Sequence, residues 1–235
     1  MRFLDRTMPT LIENLALDEA LLEGAEAGAG DVLRFWEWPD LAVILGAGGQ
    51  RHAEVDVARC RQDGVPIVRR ASGGGTVLLG PGCLLYSLVL RMDDRPELAD
   101  LRASYRTIGE RMKAAFAEVR ADVDGQSDLV VDGRKFSGNA QQRKRTHLLH
   151  HGTILHAFDL THIGVYVKHP PRMPEYRQGR SHADFVTNVP MPAERIKAKL
   201  AESWQATETT TEVPTELVER LIHEKYGRDS WHERR

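Results

Sequence analysis

The sequence has 235 residues, of which 41% are hydrophobic and 28% are charged, and its formal net charge is −2. These values suit one sizeable globular domain and give no reason to expect broad binding to nucleic acid. No run of about eighteen apolar residues predicts a membrane-spanning helix, and charges at Arg2, Asp5 and Arg6 argue against a secretory signal. Two cysteines, Cys60 and Cys83, form neither a disulfide framework nor a CxxC metal site. We therefore expect a cytoplasmic protein that binds neither nucleic acid nor membranes.

The first part of the chain alternates predicted helices and strands. Residues 11–24 carry apolar side chains at helical spacing and end on a glycine, which predicts an amphipathic helix. The segments DVLRFWEW (31–38) and LAVIL (41–45) are predicted strands on either side of a Pro-Asp pair. A second helix is predicted near 53–62 and a further strand at 65–69.

The second part contains the longest predicted helix, at residues 98–119. Six side chains share one face of it at a spacing of 3.6 residues: Leu101, Tyr105, Ile108, Met112, Ala115 and Val119. Two strand-like runs then flank Asp132-Gly133, a dipeptide that favours a type I′ hairpin turn because both positions tolerate positive φ. A strand at 146–158 and two helices, at 193–204 and 215–226, complete the prediction.

Strands, hairpins and helices are intermixed along the whole chain. This order favours an α/β (α+β) fold, a mixed β-sheet flanked by helices, over a purely parallel doubly wound sheet. The polar run at 206–214 is the one candidate hinge, and it separates only the last short helix.

Three consecutive glycines, residues 73–75, lie in the segment VRRASGGGTVLL (68–79). Glycines between apolar strands cost backbone entropy, so the pattern indicates a need for bare backbone. Main-chain N–H groups without Cβ atoms can point at a carboxylate or phosphate, and Arg69 and Arg70 would add charge-assisted hydrogen bonds. The alternative is a glycine-rich turn with solvated arginines. The segment is neither a Walker A motif nor a Rossmann fingerprint.

The hairpin segment DGRKFSGNA (132–140) carries one lysine, Lys135. Because side chains alternate along a strand, Lys135 and Ser137 are predicted to share one face. A lysine fixed by a hairpin can stabilise negative charge that develops during a reaction. The alternative is an exposed hairpin lysine.

The strand HLLHHGTILH (147–156) contains adjacent histidines, His150 and His151. These two face opposite sides of a strand, so we expect no metal site there. Gly152 indicates that backbone or ligand approaches closely at that point.

Taken together, these segments resemble one family. RRASGGGTV resembles the RRxSGGGxV signature of the lipoate–protein ligase A and octanoyltransferase group, DGRKFSGNAQQR resembles its GKKIxGSAQ segment, and LHHGTIL resembles its HHGTLL segment. NLALDEALL and LRFWEWPDLAVILG are similar to that family's opening, and the likeness runs from about residue 11 to 189. It implies the fold of biotin and lipoate ligases, related to the catalytic core of class II synthetases.

The resemblance also implies two-step chemistry. Lipoate or octanoate attacks ATP to give an acyl-adenylate and pyrophosphate, with Mg²⁺ as the expected metal. A lysine of a lipoyl carrier domain then attacks the mixed anhydride. The implied partner is the E2 component of a 2-oxoacid dehydrogenase or a protein similar to the H protein of glycine cleavage. Classical ligases carry a C-terminal accessory domain, so either this chain works without one or a separate accessory chain supplies it.

Site residues follow from the same resemblance. Lys135 would be the central catalytic and binding lysine. The other implied positions fall into the acyl and phosphate site, its border, the nucleotide side and the acyl tunnel: Arg70, Ser72, Gly73, Gly74 and Gly75; Thr76 and Val77; Ser137, Gly138 and Ala140; His151, Gly152 and Thr153. No metal ligand is predicted among the protein residues.

The segment 168–188 is basic and rich in proline. It is a candidate for a loop that covers the adenylate, with Arg177 and Arg180 meeting the phosphate. The alternative is a solvated surface loop.

The choice between ligase and transferase rests on cysteine. The octanoyltransferase members use a cysteine nucleophile, placed either before the lysine motif or in a PCG motif after the histidine segment. The corresponding stretches, ADVDGQSDLVV (121–131) and VYVKHPPRM (165–173), contain no cysteine, which favours adenylation. An ATP-independent octanoyltransferase and a non-catalytic lipoyl-binding protein remain the alternatives.

The sequence departs from the ligase pattern at VLLGPGCLLYS (77–87). Ligases usually have a histidine, an acidic residue and an asparagine there, and the asparagine is associated with metal and pyrophosphate; here GPG resembles the transferase branch. Cys83 is a candidate nucleophile or a small apolar residue at the start of a strand. We predict a catalytic domain at 1–189 and a helical extension of it at 190–235, without a full accessory domain.

Overall fold

A computed structural model describes residues 1–169 and 173–234. Residues 170–172, which belong to the predicted covering segment, lie outside the described residues. Within the described ranges no helix combines the length and the apolar character that a membrane span requires.

The strands and helices follow one another in a mixed order. The strands are β1 (Arg2–Asp5), β2 (Val32–Glu37), β3 (Ala42–Leu45), β4 (Ile67–Arg69), β5 (Val77–Leu79), β6 (Cys83–Arg91), β7 (Asp122–Asp124), β8 (Asp128–Val131), β9 (Arg134–Arg143), β10 (His147–Leu155) and β11 (Glu208–Thr209). The helices are α1 (Leu11–Gly24), α2 (Arg51–Glu54), α3 (Val57–Asp63), α4 (Leu101–Ala115), α5 (Ile163–Tyr166), α6 (His182–Phe185), α7 (Ala193–Trp204), α8 (Thr215–Leu221) and α9 (Asp229–Glu233).

Two sheets organise these elements. The larger has the strand order β11-β1-β2-β6-β10-β9-β8-β7, and the smaller has the order β4-β3-β5. In the larger sheet β1 runs parallel to β11 and β2, whereas the remaining neighbours are antiparallel. In the smaller sheet β3 pairs parallel with β4 and antiparallel with β5. The predicted mixed sheet flanked by helices is confirmed.

Each face of the large sheet carries its own core, because side chains alternate along a strand. Trp36 belongs to the core that includes Leu15 of α1, and its neighbour Phe35 belongs to the core that includes Ile108 of α4 and Leu200 of α7. The functional residues described below lie on the α1 side.

Helix α1 begins with a capping box, in which Thr10 and Glu13 each bind the other's backbone N–H. Its predicted position is confirmed, but its predicted amphipathic character is wrong. Every residue from Asn14 to Leu22 is buried, because the sheet lies on one side of the helix and α8 packs on another. Three of those buried residues are polar: Asn14, Asp18 and Glu19.

The predicted hairpin between β8 and β9 is confirmed, with φ of 50° at Asp132 and 67° at Gly133. The prediction that Lys135 and Ser137 share a face is wrong. A register shift between Leu129 and Val130 interrupts the alternation of side chains on β9. Lys135 consequently lies over Gly138.

Other predicted elements need smaller corrections. The helix predicted at 98–119 is regular only over Leu101–Ala115, flanked by 3₁₀ turns, and Leu101 is 45% exposed rather than on the buried face. The helix predicted at 53–62 is divided into α2 and α3. The predicted hinge at 206–214 contains β11, whose pairing with β1 makes it a sheet edge. Helix α9 was not predicted.

Candidate active site

A cavity lies between α1, the glycine segment, β9 and β10. Its lining includes the apolar side chains of Leu15, Trp36 and Leu85 and two cations, Arg70 beside the glycine segment and Lys135 on β9. The remaining lining residues come from the same elements and from β3, β5 and β6: Asp18, Ile44, Gly75, Thr76, Val77, Leu79, Tyr86, Gly138, Asn139, Ala140, His151, Gly152 and Thr153. A cavity with one apolar wall and a few converging cations suits an acid with a hydrocarbon chain.

The glycine segment, residues 73–75, is shaped by close backbone packing. Gly74 has a φ of +87°, a conformation that other residues adopt at a cost. A Cβ atom on Gly46 would lie 2.1 Å from the carbonyl oxygen of Gly74, so this contact requires glycine at position 46. Ala140 of β9 lies against Gly74 as well, and its small side chain lets the segment approach the sheet.

The buried side chain of Arg70 holds the glycine segment through hydrogen bonds to its backbone. Its Nη2 donates to the carbonyl oxygens of Gly73 (2.6 Å) and Gly75 (2.9 Å). The side chain is buried, and burial lowers the pKa of Arg70 to about 10, which still leaves it charged at neutral pH. The alternative of a solvated arginine is therefore wrong for Arg70. Arg69 is also buried but does not line the cavity in the described chain.

A chain of buried polar groups continues from Arg70 into the core. Its Nε donates to Ser72 Oγ (2.9 Å), and Ser72 Oγ lies 2.6 Å from His151 Nε2. His151 Nδ1 lies 3.3 Å from Asp18 Oδ2, and Arg34 Nη1 donates to Asp18 Oδ1 at 2.5 Å. We call these five residues the buried relay.

The charge of Asp18 determines which groups of the buried relay donate hydrogen bonds and which accept them. Burial opposes ionisation of Asp18, but the charge of Arg34 and the hydrogen bond from His151 outweigh it and hold the pKa of Asp18 below its usual value. An ionised carboxylate only accepts, so His151 Nδ1 donates to it, and in the neutral imidazole Nε2 is then the acceptor. Ser72 then donates to His151 and accepts from Arg70. The relay therefore holds the Arg70 guanidinium towards the glycine segment.

Lys135 lies on the opposite wall. Its side chain crosses Gly138, where a Cβ atom would be 2.7 Å from Nζ. Nζ contacts Asp128 Oδ1 at 2.8 Å, and the Tyr176 hydroxyl donates to Asp128 Oδ2 at 2.7 Å. The lysine side chain is 28% exposed, so it is neither buried nor free in solvent.

A second cavity adjoins the first and shares Gly75, Thr76, Val77, Lys135, Gly138 and Thr153 with it. Its other polar lining residues are Glu54, Asp128, Ser137, Lys168, Arg177 and His182. The described residues that line either cavity do not include Arg180. Its guanidinium instead donates to the carbonyl oxygens of Gly133 (3.0 Å), Tyr176 (2.8 Å) and Arg177 (3.1 Å). The prediction that Arg177 and Arg180 both face the site is therefore supported by the structure only for Arg177.

The remaining predicted positions support the cavity walls. Asn139 Oδ1 accepts from the Tyr86 hydroxyl (2.6 Å) and from Ser137 Oγ (3.3 Å). The same oxygen lies 2.0 Å from where a Cβ of Gly152 would be, which confirms the predicted close approach at that glycine. Thr76 Oγ1 donates to Glu54 Oε2 at 2.6 Å.

Both cysteines are buried, and neither is among the described residues that line the two cavities. Cys83 begins β6, and burial raises the pKa of its thiol to about 12. Burial also raises the pKa of Cys60 in α3. Neither thiol forms a thiolate near neutral pH in this conformation.

No group of three or more His, Cys, Asp or Glu side chains in the described part of the chain has the arrangement of a metal site. The sequence interpretation missed Asp18, Arg34 and Asp128. A signal existed for the first two, since a carboxylate interrupts the apolar run of α1 and an arginine interrupts that of β2. Asp128 carries no such signal, because its role depends on how β8 folds back onto β9.

The fold and the cavity suit the class of proteins that bind a carboxylic acid with a hydrocarbon chain beside a basic, glycine-rich segment. The family model described as the lipoyl protein ligase A/B catalytic domain matches residues 11–205, and the chain belongs to this family.

Individual relatives carry two different names. The chain is 30% identical to octanoyltransferase LipM of Symbiobacterium thermophilum, over 95% of this chain and 94% of the relative. It is 25% identical to a bipartite lipoate protein ligase of Thermoplasma acidophilum, solved in work on that ligase and its E2 lipoyl domain, with a TM-score of 0.84 over 99% of this chain and 95% of the other. It is also 25% identical to a lipoate-protein ligase A bound with ATP, with a TM-score of 0.83 over 99% and 98% of the two chains. These likenesses place the chain among enzymes of lipoyl or octanoyl transfer.

Proposed function

We propose that this chain is an ATP-dependent lipoate–protein ligase, which joins lipoate or octanoate to AMP and transfers the acyl group to a lysine of a lipoyl carrier domain. The proposal is supported most by the position of the cysteines. A transferase with a thioester intermediate needs a reactive thiol at the acyl cavity. Cys83 and Cys60 are buried, have raised pKa values and contribute to neither cavity wall in the described chain.

In the first step the acid's hydrocarbon chain occupies the apolar wall formed by Leu15, Trp36 and Leu85. The carboxylate then meets Arg70 and Lys135, and the adjoining cavity takes the nucleotide. A carboxylate oxygen attacks the α-phosphorus, and pyrophosphate leaves. Lys135 neutralises charge that develops at the junction of the two groups, which requires it to exchange Asp128 for the phosphate.

In the second step the amine of the carrier lysine attacks the acyl carbon of the mixed anhydride. The new amide bond forms, AMP leaves, and the amine loses a proton. Arg177 lies on the wall of the second cavity and suits contact with the nucleotide's phosphates. Ser137 and Gly138 line the same cavity and support the nucleotide side, whereas Ala140 lines only the first cavity.

Mg²⁺ usually binds proteins through one or two carboxylates and substrate phosphates. Glu54 and Asp128 are carboxylates on the wall of the second cavity and fit that requirement. When bound, the ion would offset the negative charge of the phosphates. The implied carrier partner and a separate accessory chain belong to the same proposal, supported by the likeness to the bipartite ligase.

The octanoyltransferase reading is the second candidate, favoured by the likeness to LipM and by Gly80-Pro81-Gly82 before Cys83. It predicts acyl transfer between carriers without ATP, through a thioester on a cysteine.

The two candidates separate in an assay of ATP–pyrophosphate exchange with lipoate and with octanoate. The ligase predicts exchange that depends on the acid and falls about 10²–10³-fold in Lys135→Ala, because one preorganised charge is lost. The matched control is Lys199→Ala, because Lys199 is an exposed lysine of α7. This variant should show normal ATP–pyrophosphate exchange. Exchange that is unchanged in Lys135→Ala would remove the lysine from its role. Transfer without ATP, with a thioester-linked mass on Cys83 that is lost in Cys83→Ala, would establish the transferase instead.

A further inference from the structure

Arg69 lies a few residues before the glycine segment and is 0% exposed. Its side chain contacts residues near the C-terminal end of the chain. Arg69 Nε donates to the carbonyl oxygen of Trp231 (3.1 Å). Its Nη2 donates to the carbonyl oxygens of His232 (3.2 Å) and Arg234 (2.6 Å). Its backbone takes part as well, since the amide donates to His232 Nδ1 (2.9 Å) and the carbonyl accepts from Trp231 Nε1 (2.8 Å). We call residues 231–234 the C-terminal clamp.

The same guanidinium reaches a second glycine-rich loop, residues 46–49. Arg69 Nη1 donates to the carbonyl oxygens of Gly46 (2.9 Å) and Gly49 (2.8 Å). Arg234 adds a direct bond from its Nη2 to the carbonyl oxygen of Ala47 (3.0 Å). The C-terminal clamp and the 46–49 loop are thus held together through one buried cation.

The 46–49 loop in turn touches the glycine segment of the active site. The amide of Ala47 donates to the carbonyl oxygen of Ser72 (2.8 Å), and Gly46 packs directly on the carbonyl of Gly74. A continuous line of contacts therefore runs from the C-terminal clamp to the residues that we expect to hold the acid and phosphate.

We propose that the C-terminal clamp is a positioning element of the active site, which fixes the glycine segment in its binding conformation before the substrate arrives. This inference rests on the proposed function. Glycine-rich loops lose much conformational entropy when they become ordered. If the loop is already ordered in the folded protein, this entropic cost does not reduce the affinity for the substrate. Losing the clamp should therefore weaken substrate binding.

The clamp touches the turn after α8, where His232 Nε2 donates to the Tyr226 carbonyl oxygen (2.8 Å), but that turn has its own contacts with α1. Lys225 Nζ binds Glu19 Oε2 at 2.7 Å, and the Tyr226 hydroxyl donates to the same oxygen at 2.7 Å. Arg220 also pairs with Glu23. Because these contacts precede residue 229, α8 and the turn after it should remain on α1 when the clamp is removed.

The test compares the full chain with three variants. The first ends at Arg228. The second is Trp231→Phe, which deletes the indole donor to Arg69 and keeps an aromatic ring. The third is the control Arg228→Ala, whose guanidinium donates to the carbonyl of His223 and not to Arg69 or the 46–49 loop in the described contacts. Calorimetry with lipoate and octanoate measures the Kd, steady-state kinetics separates KM from kcat, and thermal unfolding reports stability.

We expect the shortened chain to raise the Kd and KM for the acid about tenfold, with a smaller rise in Trp231→Phe and no change in Arg228→Ala. A synthetic peptide of residues 229–235 should restore part of the affinity. Hydrogen exchange of residues 71–77 in the ligand-free protein should be faster in both clamp variants. Unchanged exchange and unchanged Kd in Trp231→Phe would overturn the inference, even if the shortened chain fails to fold. If the full chain binds neither acid, the proposed function fails, and the exchange rates still decide whether the clamp orders the glycine segment.

Discussion

The two polar groups that meet at the cavity differ in how their charges are neutralised. The buried relay ends in a fully buried pair, Arg34 and Asp18, and Arg34 also donates to both oxygens of Asn14. On the other wall, partly exposed Lys135 has one carboxylate contact in the described chain, to Asp128. The difference indicates that the buried relay and Lys135 have separate roles. In the proposed function, the relay fixes the wall that shapes the pocket, and Lys135 keeps a contact that a phosphate can replace.

The largest expected effect comes from breaking the relay at its charged end. Asp18→Asn leaves Arg34 buried without its countercharge, which costs about 3–5 kcal/mol of unfolding free energy. Chemical denaturation at neutral pH measures this. The pKa of Asp18 is lowered in the folded protein, so its contribution is present above about pH 4 and disappears as the pH falls through the folded value. The gap between wild type and variant should therefore close in acid.

The exposed pair Arg195–Glu118 provides the matched control. Glu118→Gln should cost far less than Asp18→Asn, because solvent screens the pair. Equal losses in the two variants would contradict the special role of the buried relay.

A smaller effect is expected from Ser72→Ala, which leaves Arg70 Nε and His151 Nε2 without their partner. The cost to stability is about 1–3 kcal/mol. Because Arg70 loses its orientation, the KM for the acid should also rise more than kcat falls. Ser104→Ala, at another fully buried serine on the α4 side, should cost similar stability and leave KM unchanged. A KM that rises equally in both variants would show that loss of packing, rather than the relay, is responsible.

A substitution in the glycine segment itself should cost as much stability as Ser72→Ala or less. Gly74→Ala places a Cβ at a φ of +87° and 3.0 Å from Arg70 Nη2, so the unfolding free energy should fall by about 1–2 kcal/mol. Gly73→Ala meets open space within 4 Å and should leave stability nearly unchanged. Thermal unfolding of the two variants side by side measures the difference. If Gly73→Ala were the more destabilised variant, the described geometry of the segment would be wrong.

The smallest expected effect is on the Lys135 wall. Tyr176→Phe removes one hydrogen bond to Asp128 and leaves the ring against Phe185, which should cost about 1 kcal/mol or less. The freed carboxylate oxygen should hold Lys135 more strongly, so kcat should fall slightly while the Kd for the acid stays the same. Loss of acid binding in this variant would mean that the two walls are not independent.

Much of the fold could be predicted because its signals are local. The Asp132-Gly133 hairpin, the strands beside it and α1 follow from turn chemistry and periodicity. The burial of α1 on nearly all sides could not be predicted, since it depends on α8 folding back from a distant part of the chain. The same limit applies to β11, a short polar strand that exists only because β1 provides an edge.

The candidate site divides in the same way. Arg70, Lys135, Gly75, Gly138 and Gly152 were found by resemblance and do line one cavity, whereas Gly73 and Gly74 line neither cavity in the described chain. Asp18, Arg34 and Asp128 were missed because their roles arise from long-range packing, and Arg180 was assigned to the site although it is not among the described residues that line either cavity. The division into a domain at 1–189 and an extension at 190–235 stays a prediction.

The most direct test of the central claim is a crystal structure of the protein soaked with lipoate and ATP. A ligase should show lipoyl-AMP with its hydrocarbon chain beside Trp36 and its phosphate beside the glycine segment, and Lys135 Nζ moved from Asp128 to the phosphate. An acid bound in the cavity with Lys135 still on Asp128 and no adenylate, or an acyl group attached to a cysteine, would contradict it.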